Sequence, residues 1–261
     1  MESVPCDERE GYRICGVPVK ATVWSDLDPD SIKHTVRVYT INMEMLYWAI
    51  KYSWYRETLS RGCTTADGKW VQWAVSKIHG VKVDHIPGSL LVPRILEHAA
   101  GRGEKVVFIG DTPSTHERAR RVLEEKYPGI LLGFYDPGRI TLEDAENGTI
   151  REEIIARIAG FLRDEDPVYA FFTLSLPVQE RVIDLVYGRA AVGGLKIMAG
   201  VGGTLRMLAG LEKPAPKPVR SLGLEWLWRL VQNPRRLGKV ERSLRAMICV
   251  IGEAIRGKQQ G

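Results

Sequence analysis

An aspartate at a predicted turn has the chemistry of a catalytic residue. Asp67 stands in the segment T-T-A-D-G-K, just before an amphipathic helical pattern. A carboxylate in a cleft can act as a general base and deprotonate a sugar hydroxyl while that hydroxyl attacks an anomeric carbon. The same residue type also caps helices and closes turns. Taken alone, this segment leaves both interpretations of Asp67 open.

Two glycine-containing segments follow predicted strands and have the composition of phosphate-binding turns. In G-V-G-G-T at 200–204, the glycines would let backbone N–H groups approach a phosphate without obstruction by side chains. The second segment is G-D-T-P at 110–113. Neither segment is the full dinucleotide fingerprint. A tight turn explains the first equally well, and simple helix capping explains the second.

Several other catalytic and metal-binding patterns are missing from the sequence. It contains no H-E-x-x-H, nucleophile elbow, Walker A motif or D-x-D cluster, and its five histidines are scattered. The four cysteines (Cys6, Cys15, Cys63 and Cys249) lack the spacing of zinc ligands. We therefore expect no metal and no cofactor, and cysteines that stay free thiols.

Alternating strand and helix patterns must position these residues. Apolar runs predict strands at 36–41, 105–110, 130–135, 168–174 and 195–200. Helical patterns fall at 43–59, 112–129, 151–163 and 178–189, the second with a capping box at Ser114 and Glu117. This alternation predicts an α/β fold with a Rossmann-like, mostly parallel sheet flanked by helices.

Ligands of such sheets bind outside the carboxyl ends of the strands. This rule selects the residues that follow predicted strands as candidates for substrate binding. They are Thr40, Asn42, Gly110, Gln179, Glu180, Gly200, Gly202, Gly203 and Thr204.

The basic residues are concentrated in the C-terminal part of the chain. Residues 213–261 hold eleven Lys and Arg against three Asp and Glu, whereas residues 1–212 carry a net charge of −3. A proline-rich stretch at 212–220 separates the two parts. We therefore predict an α/β catalytic core at 1–212 and a basic, partly helical appendage at 213–261, whose partner is anionic: lipid headgroups, diphosphates or nucleic acid.

The N-terminus has no signal-peptide pattern, and no apolar run approaches the roughly 20 residues that span a bilayer. We therefore expect a cytoplasmic protein.

Taken together, the motifs resemble the WecG/TagA/CpsF glycosyltransferases, which form glycosyltransferase family 26. The resemblance covers roughly residues 36–242. Its segments are T-I-N at 40–42, A-D-G at 66–68, P-G-S-L-L at 87–91, V-V-F-I-G-D-T-P at 106–113, G-F-Y-D-P-G at 133–138, P-V-Q-E at 177–180, G-V-G-G-T-L-R-M-L-A-G at 200–210 and G-L-E-W-L-W-R-L-V-Q-N-P-R-R-L at 223–237.

The resemblance implies an inverting, metal-independent enzyme. Such enzymes commonly transfer N-acetylmannosamine from its UDP form to a sugar on a polyprenyl diphosphate, in the synthesis of cell wall, capsule or exopolysaccharide. Asp67 falls at the position of the family's proposed base, and Thr40, Asn42 and Gln179 fall at pocket positions. The appendage arginines are expected to neutralise the diphosphate leaving group. They are Arg229, Arg235 and Arg236.

The basic appendage offers Trp226, Trp228 and leucines to an anionic interface, so the sequence also predicts a peripheral protein on the inner face of the cell membrane, bound through the appendage. Packing of the appendage on the core is the alternative, and homo-oligomerisation stays open.

Three positions depart from the family pattern. His85 stands where the family commonly has arginine and is kept as a catalytic candidate, Leu90 replaces an aspartate, and Pro214 replaces an arginine. These changes leave a related hexose or a uronic acid open as the donor sugar. Two other function classes are alternatives: a nucleic-acid-binding or other non-catalytic module that uses the basic tail, and an NAD-dependent oxidoreductase, which the incomplete glycine fingerprint disfavours.

Overall fold

The structure, a computed structural model, describes residues 4–190, 192–212, 216, 219, 228, 230–231 and 237–257. The strands in these ranges are β1 (Tyr12–Ile14), β2 (Val17–Val19), β3 (Val36–Ile41), β4 (Cys63–Ala66), β5 (Lys105–Ile109), β6 (Leu131–Tyr135), β7 (Tyr169–Phe172) and β8 (Ile197–Gly200). The helices are α1 (Met43–Lys51), α2 (Ser53–Ser60), α3 (Lys69–His79), α4 (Gly88–Arg102), α5 (Pro113–Lys126), α6 (Leu142–Glu146), α7 (Glu152–Glu165), α8 (Val178–Tyr187), α9 (Thr204–Leu208) and α10 (Leu237–Gly257).

The main sheet is parallel and confirms the predicted α/β, Rossmann-like fold. Its strand order is β4-β3-β8-β7-β5-β6, and β1 and β2 form a separate antiparallel hairpin. All residues of β7 and β8 are buried, as expected for central strands of a parallel sheet that helices cover on both faces.

The chain divides into two compact units. The first consists of residues 1–26, 40–87 and 213–261, and the second of residues 27–39 and 88–212. The predicted division into a core at 1–212 and an appendage at 213–261 is not tested by this observation and stays a prediction.

In the second unit, an aromatic core holds the strands in register. Phe108 of β5 stacks on Phe134 of β6 with ring centroids 5.6 Å apart, and it contacts Phe171 of β7 at 5.5 Å. In the same unit, the largely buried side chain of Arg37 in β3 is ion-paired with Asp184 of α8. These contacts link strands that are far apart in sequence, and they fix where the strands end.

In the first unit, α10 packs along α1 through small residues. Ala246, Val250 and Ala254 are almost completely buried, with relative exposures of 1, 1 and 6%. Glu44 of α1 is also buried and pairs with Arg242 of α10, with an Oε1–Nη2 distance of 2.7 Å. The described part of the appendage therefore has a face that is held by the core.

Three local predictions were wrong. The helix predicted at 43–59 is interrupted at Tyr52 and forms α1 and α2. The segment before Asp67, which the sequence predicts to be part of a turn, is a strand, β4. The capping box at Ser114 does not form, because Thr112 is the N-cap: its hydroxyl accepts the Thr115 N–H at 3.4 Å, and Pro113 takes the first helical position, which needs no N–H.

The expectation of four free thiols was also wrong. Cys6 and Cys63 form a disulfide, although 57 residues separate them. The expectation compared only neighbours in sequence, whereas the fold brings the short 3-10 helix at Cys6–Glu8 beside β4. Cys15 and Cys249 are free thiols whose Sγ atoms lie 3.6 Å apart.

Some predicted features fall outside the described residues. Arg229, Arg235 and Arg236 belong to this group, as does Pro214. Within the described ranges, no helix combines the length and the apolar character that crossing a membrane requires.

Candidate active site

Asp67 lies directly after β4 in the first unit. Its backbone N–H donates to the carbonyl of Ile41 at 2.8 Å, which fixes the end of β4 beside the end of β3. The N-cap of α3 is Gly68, with φ of 101°, so Asp67 is not the capping residue of that helix. Its side chain keeps 30% of its surface exposed. The structure thus leaves the carboxylate accessible at the carboxyl end of a parallel strand.

His85 is brought to Asp67 by backbone pairing. Ala66 and His85 form a parallel bridge, and the Ile86 N–H donates to the Ala66 carbonyl at 2.9 Å. The imidazole Nε2 lies 3.9 Å from Asp67 Oδ1, and the His85 side chain is also 30% exposed. A protonated imidazole at this distance would attract the carboxylate without a direct hydrogen bond. The two predicted catalytic residues are therefore neighbours.

Thr40 and Asn42 belong to the end of β3 in the same unit. Thr40 is 5% exposed. Asn42 is the N-cap of α1, and its Oδ1 accepts the Met45 N–H at 3.1 Å. Because that bond uses the amide oxygen alone, the amide NH₂ group is not consumed by capping.

In the second unit, Gln179 holds the glycine-rich loop that follows β8. Its Oε1 accepts the Gly202 N–H at 3.1 Å, and its Nε2 donates to Glu180 Oε1 at 2.6 Å. A Cβ at Gly200 would lie only 3.0 Å from this Nε2. Gln179 and Glu180 are both buried, with exposures of 2% and 0%. The two buried side chains therefore hold the glycine-rich loop in place through these hydrogen bonds.

The C-terminal end of the glycine-rich loop and the turn after β5 are also fixed by their local contacts. Thr204 is the first residue of α9, and its hydroxyl donates to the Val201 carbonyl at 2.7 Å; Gly203 precedes it as the N-cap. Gly110 has φ of 110°, and a Cβ there would lie 2.9 Å from the Thr173 hydroxyl. The turn after β5 therefore needs glycine at position 110 for steric reasons, whatever it binds.

Sequence reasoning included Asp111 in the G-D-T-P turn at 110–113, but it did not predict the pairing of Asp111 with Arg206, which the fold brings together in the second unit. Arg206 Nη1 lies 3.3 Å from Asp111 Oδ1, and Asp111 has φ of 64°. Desolvation by burial raises the pKa of the Asp111 carboxyl, and the ion pair with Arg206 opposes this rise without cancelling it. No sequence signal indicates that these two residues pair, because they are 95 positions apart in the chain.

The described residues contain no group of three or more His, Cys, Asp or Glu side chains with the geometry to hold a metal ion.

The first unit has an accessible carboxylate at the end of β4, and the second unit has a supported glycine-rich loop after β8. Strand ends of this kind are where α/β folds bind their ligands. Comparison with known proteins identifies which class of enzyme this is. Residues 12–260 match the model of the glycosyl transferase WecG/TagA/CpsF family, so the chain belongs to that family and is a glycosyltransferase.

Curated relatives agree with this assignment. The chain is 30% identical over 205 residues to proteins of Staphylococcus aureus strains MRSA252 and MW2, which covers 78% of this chain and 75% of each relative. Both carry the name N-acetylglucosaminyldiphosphoundecaprenol N-acetyl-beta-D-mannosaminyltransferase. The enzyme class is thus neither that of an NAD-dependent oxidoreductase nor that of a non-catalytic nucleic-acid-binding module.

Proposed function

We propose that this enzyme transfers N-acetylmannosamine, or a closely related sugar, from a UDP donor to a sugar carried on a polyprenyl diphosphate. The reaction is inverting and needs no metal, and it serves the synthesis of a cell-surface polysaccharide. Membership of the family and the relatives' names support the acceptor class. The observation that carries the mechanism is the exposed carboxylate of Asp67, fixed at the end of β4.

Asp67 acts as the general base in this mechanism. The acceptor hydroxyl forms a new C–O bond at the anomeric carbon while the bond from that carbon to the diphosphate breaks. The hydroxyl proton moves to Asp67, and the bonding electrons leave with UDP. Attack on the face opposite the leaving group inverts the anomeric configuration. A positioned base of this kind contributes roughly 10²–10⁴-fold to the rate.

His85 assists Asp67. At 3.9 Å from the carboxylate, a protonated imidazole holds the base in its charged, proton-accepting form and orients it. The family commonly has arginine here, and histidine supplies the same positive charge only in its protonated form, whereas the charge of arginine is permanent. Neutralisation of the departing diphosphate by Arg229, Arg235 and Arg236 stays a prediction that follows from the family alone.

We also propose that the enzyme works at the inner surface of the cell membrane, bound through α10. The helix face opposite Ala246 and Val250 carries four exposed apolar side chains at helical spacing. They are Leu244, Ile248, Ile251 and Ile255, with exposures of 47, 73, 39 and 58%. We name this set the apolar stripe. Such a stripe on a basic helix fits the interfacial region of a bilayer, where a polyprenyl-linked acceptor also resides.

The test of catalysis is transfer from UDP-N-acetylmannosamine to N-acetylglucosamine on a short-chain polyprenyl diphosphate. We expect Asp67→Asn to lower kcat by at least about a hundredfold with little change in the KM of the donor, because the amide cannot accept the proton. The matched control is Asp164→Asn, which neutralises an exposed aspartate of α7 and should keep wild-type kcat.

The same assay examines the other parts of the proposal. Activity that persists in EDTA supports a metal-free reaction, and product of retained configuration would contradict the direct displacement. Wild-type kcat in Asp67→Asn would remove the base from the mechanism.

A further inference from the structure

Three charged side chains meet at the carboxyl ends of β5 and β8, and the mechanism above does not use them. Asp111 follows β5, Arg206 lies in α9 after the glycine-rich loop, and Glu212 follows α9. Arg206 Nη1 lies 3.3 Å from Asp111 Oδ1, and Arg206 Nε lies 3.4 Å from Glu212 Oε1. We name these residues the charged triad.

The burial and the backbone conformation of Asp111 both cost folding stability. Its side chain is 8% exposed, and its second oxygen, Oδ2, is buried with no hydrogen-bond partner in the described part of the chain. Its φ of 64° lies in the left-handed region, which non-glycine residues seldom adopt. A strained backbone and an unsatisfied buried oxygen each cost stability, and such features cluster at functional sites.

Arg206 remains open to solvent although it is held at two points. Its side chain is 42% exposed, so N–H groups that face neither carboxylate stay accessible. It stands at the edge of the sheet where α/β folds bind their ligands. The buried carboxylate of Asp111 thus fixes a guanidinium at a position suited to contact with substrate.

The charge of the triad decides what it can bind. Two carboxylates surround one guanidinium, so the ionised triad by itself carries a net charge of −1 and lacks the excess of positive charge that a site for a phosphate or a sugar carboxylate needs. Hydroxyl groups fit instead, because a carboxylate accepts their hydrogen and a guanidinium donates to their oxygen. Acidic side chains at this edge of nucleotide-binding α/β sheets contact ribose hydroxyls in the same way.

We propose that Arg206 and Glu212 bind hydroxyl groups of an uncharged part of the nucleotide-sugar donor, and that Asp111 is the positioning residue for Arg206. This inference rests on the proposed function, since it takes the donor to be a UDP-sugar. The hydroxyls belong either to the ribose or to the transferred sugar. In the second case the triad also favours a neutral sugar over a uronic acid.

Binding and kinetics test the proposal on the full chain. Dissociation constants for UDP, 2′,3′-dideoxy-UDP and UDP-N-acetylmannosamine are measured by calorimetry for wild type, Arg206→Ala, Arg206→Lys and Glu212→Gln. We expect Arg206→Ala and Glu212→Gln to weaken UDP-N-acetylmannosamine about tenfold to a hundredfold, since each removes a hydrogen bond from a charged group. Arg206→Lys should recover only part of the loss, because an ammonium lacks the planar fork.

The nucleotides distinguish the two sources of hydroxyl groups. If the ribose is bound, UDP is weakened as much as the UDP-sugar, and 2′,3′-dideoxy-UDP binds wild type and Arg206→Ala alike. If the transferred sugar is bound, UDP is unaffected, and Glu212→Gln narrows the preference for UDP-glucose over UDP-glucuronate. Asp111→Asn, in which asparagine tolerates positive φ, should raise the KM of the donor several-fold without lowering kcat.

The matched control is Arg189→Ala. Arg189 is 40% exposed and paired with Glu152 at 2.8 Å, so it resembles Arg206 in exposure and pairing but lies outside the strand ends. Circular dichroism confirms that each variant folds. If Arg206→Ala and Glu212→Gln bind the donor with the same dissociation constants as Arg189→Ala, this inference is overturned while the proposed function stands. If wild type binds no uridine nucleotide, the proposed function fails, and the inference fails with it.

Discussion

The carboxylate of Asp26 organises the N-terminal segment of the first unit. One oxygen accepts from Arg9 Nη1 at 2.6 Å, and the other accepts the backbone N–H groups of Thr22 at 2.7 Å and Val23 at 3.1 Å. Desolvation raises the pKa of Asp26, but these hydrogen bonds together outweigh it and leave the pKa below its ordinary value. The charged form is therefore the one that the fold stabilises.

We expect Asp26→Asn to lower the free energy of unfolding by about 1–3 kcal/mol at pH 7, the range for hydrogen bonds to a charged group. A carboxyl whose pKa is lowered by folding contributes stability above its unfolded pKa, near 3.9, and loses it as the pH falls through the folded pKa. The difference between variant and wild type should therefore shrink at pH 3. Urea unfolding at pH 7 and pH 3 measures this difference in unfolding free energy, and Asp164→Asn is the control. A difference that is as large at pH 3 as at pH 7 would refute this account.

Individual site residues were predictable only where a residue type coincided with a predicted strand end or with the family resemblance. Asp67 was selected by its residue type and by the family resemblance, because β4, the strand that it follows, was not predicted. The role of Gln179 as a support of the loop could not be predicted, because it depends on a contact 23 residues away and on the missing Cβ of Gly200. The pairing of Asp111 with Arg206 needs the register of the whole sheet, which a single sequence does not contain.

The turn between β1 and β2 meets α10 at a pair of thiols. The Cys15 N–H donates to Glu253 Oε2 at 2.7 Å, and the Cys15 and Cys249 sulfurs lie 3.6 Å apart. Burial raises the pKa of the Cys15 thiol well above its ordinary value, and the neighbouring Cys249 and Glu253 raise it further. This thiol is therefore protonated where an ordinary cysteine has begun to ionise.

We expect iodoacetamide at pH 8 to modify Cys15 at least about tenfold more slowly than a small unhindered thiol, because only the thiolate reacts. Glu253→Gln removes the adjacent negative charge and should speed the reaction. Peptide mass spectrometry after timed labelling gives the rates. Glu241→Gln is the control, since this carboxylate lies on the same helix but pairs with Arg245 at 2.6 Å. Equal rates in the two variants would show that Glu253 does not influence the thiol.

The strands of this fold were predictable where apolar residues continue along them. β5, β7 and β8 were found for that reason, whereas β4, with the sequence C-T-T-A, was missed although all its residues are buried. Its hydroxyls are satisfied by backbone: Thr64 Oγ1 donates to Pro18 at 2.6 Å, and Thr65 Oγ1 donates to Ile86 at 2.7 Å. A hydropathy pattern cannot show that a polar side chain has a partner, and so it assigns such a strand to a loop.

At the scale of the whole molecule, the C-terminal segment at 213–261 combines an excess of basic residues with exposed apolar side chains. Residues 213–261 include eleven basic and three acidic residues, whereas the rest of the chain carries a net charge of −3. Within α10, Lys239 and Arg242 pair with Glu44, whereas Arg256 is exposed near the end of the helix. The apolar stripe lies on this basic helix. An anionic membrane would satisfy both features, because headgroups attract the charge and the acyl boundary takes up the side chains.

Membrane binding should therefore depend on the stripe and on salt together. We expect the protein to sediment with vesicles of phosphatidylglycerol and phosphatidylcholine, less with phosphatidylcholine alone, and less at 0.5 M NaCl, where the Debye length falls to a few ångströms. Leu244→Ser and Ile248→Ser should each weaken the partition about tenfold, because burial of one such side chain contributes about 1.5–3 kcal/mol. Leu131→Ser is the matched control, since Leu131 and Leu244 are both 47% exposed and Leu131 lies on β6. If the stripe instead covers a second copy of the chain, light scattering will show a dimer that Ile248→Ser dissociates, while vesicle binding stays at the level of Leu131→Ser.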